Sequence, residues 1–184
     1  MSFGHEIDVV FVRANLSRNH GALLDAFEMS EDTADERPRR PLDDLRLSDL
    51  RGAAIGYWKG WTFLVHPHAA FALVPNSFEG TPDPSDQARR LGELAPESFA
   101  MWTDPGTKSS AFGLLRGGRW ARVRAYAQGE IAADAGKPMP FELREGDLDH
   151  AAWPRAATRE LLGVELAHLL ESDILSATIH APWG

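Results

Sequence analysis

Apolar residues fall along this chain in short runs separated by polar turns, a rhythm of strands and brief helices. Ile7–Val12 is one such run, rich in β-branched residues, and predicts a buried strand. Asn15 or Ser17 is placed to cap a helix behind it, with Leu23, Leu24 and Phe27 on the inner face. Residues 30–41 carry both charge signs and no apolar anchor, and predict an exposed loop. Leu42, Leu45, Leu47 and Leu50 predict a short helix stopping at Gly52. Residues 54–58 and 61–65 then form the apolar centre, two predicted strands joined by a tight turn at Lys59-Gly60. Residues 69–74 fit either a helical turn or a third strand, because so short a run shows no periodicity.

A proline-rich loop at residues 81–84 precedes a predicted helix over 85–94. The clearest local signal follows: residues 110–116 and 119–127 flank Gly117-Gly118, a pair that tolerates positive φ at both turn positions. Pairing Arg116 with Arg119 places Leu114 opposite Ala121 and Phe112 opposite Val123. A second turn at Gln128-Gly129 leads to a strand over 130–134 and completes a meander. After an acidic stretch (Glu142, Glu145, Asp147, Asp149) the chain turns helical near Pro154. The leucines at 161, 162, 166, 169 and 170 fit one long helix, but Gly163 favours a stop, an extended step and a second short helix. Residues 176–181 predict a final edge strand. The expectation is a single α+β domain over 1–184: a twisted antiparallel sheet with a central β-meander and helices packed mainly on one face.

Length and composition fit that picture, since 184 residues suffice for one sizeable core. The net charge of −8 opposes general nucleic-acid binding and suits a basic partner. Only Lys59, Lys108 and Lys137 are lysines, and the arginine excess with abundant Ala, Gly and Pro reads as the codon bias of a high-GC bacterium. With no cysteine, disulfides and thiolate chemistry are excluded. The first fifteen residues lack a signal-peptide pattern, and no apolar run approaches the roughly 20 residues of a membrane span. A soluble, cytoplasmic protein without membrane association is expected, and no cofactor is implied.

Candidate chemistry is sparse. Strict alternation puts Trp120, Arg122, Arg124 and Tyr126 on one face of the meander, in a stretch of four arginines and no acid from 109 to 129. Arginine interleaved with aromatics suits phosphate contacts, stacking or a partner interface; equally, the aromatics pack under a helix while the arginines pair with carboxylates. His66 and His68 have the i, i+2 spacing that turns two strand side chains to one side, as a metal pair requires, although Pro67 marks a strand end. Trp58 and Trp61 flank the Lys59-Gly60 turn, where an exposed indole would anchor a protein partner. Residues 104–109 superficially resemble a phosphate loop but have Thr107 where glycine must precede the lysine. No serine elbow, dinucleotide fingerprint or paired-carboxylate pocket is present.

Gly60-Trp61-Thr62 followed by Phe63-Leu64-Val65, the meander to Phe141, and Leu161-Leu162-Gly163-Val164-Glu165-Leu166 together resemble a family of small bacterial domains of unknown function. Arg89-Arg90-Leu91 falls where that family has its middle helix. His66 replaces the family's acidic residue after the Gly-Trp-Thr strand, and Gln128-Gly129 replaces its Asp-Gly turn. The resemblance implies roles in bacterial conflict or protein binding and carries no enzymatic activity with it. A non-enzymatic protein-binding domain, immunity-type or regulatory, is the leading expectation. A metal-dependent enzyme using His66 and His68, and a phosphorylated-ligand module using Arg122 and Arg124, follow it.

Overall fold

A computed structural model describes residues 7–29, 33–35, 53–74, 80–165, 168–169 and 175–180. In chain order these form β1 (Ile7–Val12), α1 (Gly21–Ala26), β2 (Thr33–Asp35), β3 (Ala53–Trp58), β4 (Trp61–Val65), α2 (Ala69–Leu73) and α3 (Asp86–Leu94). Then come β5 (Glu97–Asp104), β6 (Ser109–Arg116), β7 (Arg119–Ala127), β8 (Glu130–Gly136), α4 (Pro140–Glu145), α5 (Ala152–Leu162) and β9 (Leu175–His180). The strands make one sheet, β2-β9-β3-β4-β1-β5-β6-β7-β8, and every pairing is antiparallel. The α+β class and the antiparallel sheet are therefore as the sequence indicates.

β1 lies mid-sheet because it is apolar on both faces. Val10 and Val12 point to one core and Val9 and Phe11 to the other. The first core takes Leu23, Leu24 and Phe27 from α1 and its C-cap, Leu73 from α2 and Leu91 from α3. The second takes Phe141 from α4 and Trp153, Ala157 and Leu162 from α5. Among the described elements α1, α2 and α3 thus share a face, and α4 and α5 add a second layer opposite. Period-2 reasoning misses that layer because α4 grows out of the acidic stretch, where Phe141 is its one fully buried anchor. On the second face, rings pack across adjacent strands, Phe11 on Phe99 at 4.5 Å and Phe99 on Phe112 at 5.7 Å, and on to α5, Phe112 against Trp153 at 4.9 Å.

Local signals explain most boundaries. Lys59 and Gly60 both have positive φ (42° and 87°), the geometry of a two-residue hairpin. Residues 69–74, ambiguous in sequence, resolve into α2 with Val74 beyond its end. Asp8, buried on β1, accepts backbone N–H bonds from His68, Ala70 and Phe71 at 3.1, 2.6 and 3.3 Å and so caps that helix from across the fold. Neither Asn15 nor Ser17 caps α1: the Asn15 side chain instead accepts from Ser17 N–H, and His20 takes the N-cap position with no side-chain bond to the helix N-terminus. Ser85 does cap α3, through Ala88 N–H, and Gly163 ends α5 at φ 67°.

Three expectations change. The meander lies on one flank of the sheet, with β8 as its edge, while β1 holds the middle. The C-terminal strand is not an edge: β9 inserts between β2 and β3. Thr33–Asp35, inside the expected loop of residues 30–41, is strand β2. The rest of that loop, and the helix expected over 42–50, lie outside the described residues.

Candidate functional site: a cleft at the bulge of the meander

The face proposed from strict alternation is split by one backbone irregularity. Arg116 pairs with Arg119 as expected, but the β6–β7 register then shifts between Leu114 and Leu115. Leu115 faces Trp120, whereas Leu114 faces Arg122 and Phe112 faces Arg124, each one residue beyond the simple alternation. The bulge turns the residue set over. Trp120 packs on the α1–α3 side, and Arg122, Arg124 and Tyr126 turn to the α4–α5 side.

On the α4–α5 side the guanidinium groups are committed within the protein. Arg122, 2% exposed, holds Glu142 through two parallel bonds (Nε–Oε1 2.8 Å, Nη2–Oε2 2.6 Å) and also pairs with Asp134. Arg124 binds Asp134 through Nε at 3.0 Å. Both guanidinium carbons lie over the Trp153 ring, at 5.8 and 5.6 Å. Tyr126 donates to the Leu148 carbonyl at 2.8 Å, and burial pushes its phenol pKa up. Burial alone would raise the Glu142 and Asp134 carboxyls. The arginine hydrogen bonds outweigh it and hold both below their ordinary values. A phosphate reaching Arg122 or Arg124 would have to displace two carboxylates beneath the Trp153 ring.

On the other side, Trp120 borders an open cleft of about 770 Å³. Its walls are the loop from Thr81 to Pro84, α3 at Arg89 and Glu93, and the β6–β7 turn with Arg119; Gly92, Gly117 and Gly118 form the floor. Glycine is required on that floor. A Cβ on Gly92 would stand 2.3 Å from the Gly118 nitrogen, so α3 touches the turn backbone to backbone. A Cβ on Gly113 would stand 2.4 Å from the far edge of the Trp120 ring and 2.8 Å from Val74. The indole is therefore wedged by its far edge, and the residue as a whole stays half-buried. Arg119 is exposed and has no ion pair or hydrogen bond among the described residues.

The remaining candidates sit apart from this cleft. Trp61 is 6% exposed beneath Arg13 (5.7 Å) and edge-on to Phe99, while Trp58 is half-buried under Lys59 at 5.1 Å. His66 follows the last residue of β4, so the strand rule for i, i+2 pairs no longer applies. It is buried, whereas His68 is exposed in a left-handed conformation at the start of α2. Burial lowers the His66 pKa, opposed by a backbone hydrogen bond at Pro67 and reinforced by the nearby charge of His68. Among the described residues no group of three or more His, Cys, Asp or Glu is placed to hold a metal ion.

Sequence reasoning found Trp120 but missed Arg119, Asp83 and Glu93, which join it only through the packing of α3 on the turn. The Gly92 and Gly118 pair was the available signal, since a glycine within a helix usually marks a close approach. No helix among the described residues is long and apolar enough to cross a membrane. No protein-family model, no curated protein and no solved structure matches the chain. The resemblance to small bacterial domains of unknown function thus rests on the residue pattern alone.

Proposed function

We propose that this chain is a non-enzymatic protein-binding domain, of immunity or regulatory type, acting in a bacterial cytoplasm. One observation carries the reading: a half-buried indole, wedged by Gly113 and Val74, stands in an open cleft beside an arginine with no partner among the described residues. Tryptophan and arginine at a concave surface are the residue types that dominate binding energy at protein interfaces, and the wedged indole loses little freedom when a partner seats on it. The net charge of −8 favours a partner of opposite sign and faster encounter with it.

The test is a native pulldown from the source bacterium with the full chain and with Arg119→Glu. Arg119 is exposed, so the variant should keep its thermal midpoint while retaining the partner at least tenfold less. Absence of a stoichiometric partner for the unaltered chain, or equal retention by both proteins, would sink the proposal.

A further inference from the structure

We infer that the cleft beside Trp120 seats a basic side chain, arginine or lysine, presented by an extended segment of the partner; this rests on the protein-binding reading above. Asp83 on the loop and Glu93 on α3 both line the cleft and are exposed, and their side chains make no ion pair or hydrogen bond among the described residues. The neighbouring carboxylate of Asp86 is already paired with Arg89 along the helix. The cleft thus offers two uncommitted carboxylates from two different elements, together with an indole in the same lining.

That combination matches a cation more closely than any other ligand. A guanidinium or ammonium group is drawn to the face of an indole, and a carboxylate beside it accepts charge-assisted hydrogen bonds. The same pairing is already used inside this protein, where Arg122 and Arg124 lie over Trp153 and bind Glu142 and Asp134. The open cleft, about 770 Å³, is large enough to admit a long side-chain stem. An anionic ligand would find only Arg119 uncommitted and would face Asp83, Glu93 and a molecule of charge −8. Arg119, on the turn, donates instead to main-chain carbonyls of the same segment.

The probe is an acetylated, amidated Gly-Arg-Gly-Arg-Gly peptide, titrated into the full-length isotope-labelled chain. The readout is the Trp120 indole N–H resonance, assigned by its loss in Trp120→Phe. The arginine peptide should shift that resonance saturably and bind more weakly as salt rises. Asp83→Asn combined with Glu93→Gln, both at exposed positions, should weaken binding tenfold or more, and the corresponding glutamate peptide should leave the resonance in place. A resonance unmoved by millimolar arginine peptide, undiminished affinity in the double variant, or a response to the glutamate peptide would each overturn the inference. If Arg119→Glu loses the pulldown partner while the double variant keeps it, the protein-binding reading stands and the basic anchor falls.

Discussion

Arg122 shows how one side chain can look like a ligand contact in sequence and be a tie between layers in the fold. Its guanidinium binds Glu142 on α4 and Asp134 on β8, and lies over Trp153 on α5. Arg122→Met keeps the length of the stem and removes the charge, leaving the buried Glu142 with the Met139 N–H at 2.7 Å and Arg124 as its nearest cation, at 3.7 Å. Breaking a buried pair from one side costs about 3 kcal/mol, so urea unfolding at pH 7 should show a loss of that order. The pH dependence gives a second check. Glu142 and Asp134 are held below their ordinary pKa, so their contribution is fully present above about pH 5 and disappears as pH falls through the lowered values. The unaltered protein should therefore be level around neutrality and weaken in acid. In Arg122→Met the deficit should shrink as the pH is lowered, because protonation removes the charge left without its partner.

At the scale of elements, α3 and the β6–β7 turn behave as one unit because no side chain separates them at Gly92 and Gly118. Gly92→Ala would drive a methyl into backbone that has no flexible end to move aside. A destabilisation of about 2 kcal/mol is expected, together with displacement of the Trp120 indole resonance. Gly21→Ala is the control: its Cβ meets nothing within 4 Å at the start of α1, so urea unfolding should show no loss. Elements are also where the sequence was most and least informative. The Gly117-Gly118 and Lys59-Gly60 turns, α3, and the Gly163 stop were legible because each depends on a few neighbouring residues. The bulge beyond Arg119 was not, since no residue type there demands it, and a slip of one position moved Trp120 to the opposite face from Arg122. The strand Glu97–Asp104 is absent from the sequence reading, and α4 was hidden among acids, because burial of Glu142 depends on an arginine twenty residues earlier in the chain.

Across the whole molecule, the sheet separates two cores, so the cleft and the arginine cluster lie on opposite faces although both begin in β7. Sequence order said little about this, because both strand neighbours of β1, and β9 beside β3, are distant in the chain. β9 completes the far half of the sheet by pairing with both β2 and β3. A chain stopped before Leu175 should expose the edge of β3, whose first four residues are buried, and leave β2 unpaired. Size-exclusion chromatography should then show loss of monomer to larger species, the usual fate of a bare apolar strand edge.

The place of β9 also sets an order of events during synthesis. The hairpin of β3 and β4 leaves the ribosome long before the strand that must lie beside it, and β5 to β8, already consecutive, can assemble on β1 in the meantime. For that interval β3 carries an open apolar edge, and chaperone occupancy on the nascent chain should be greatest between the emergence of β4 and that of β9.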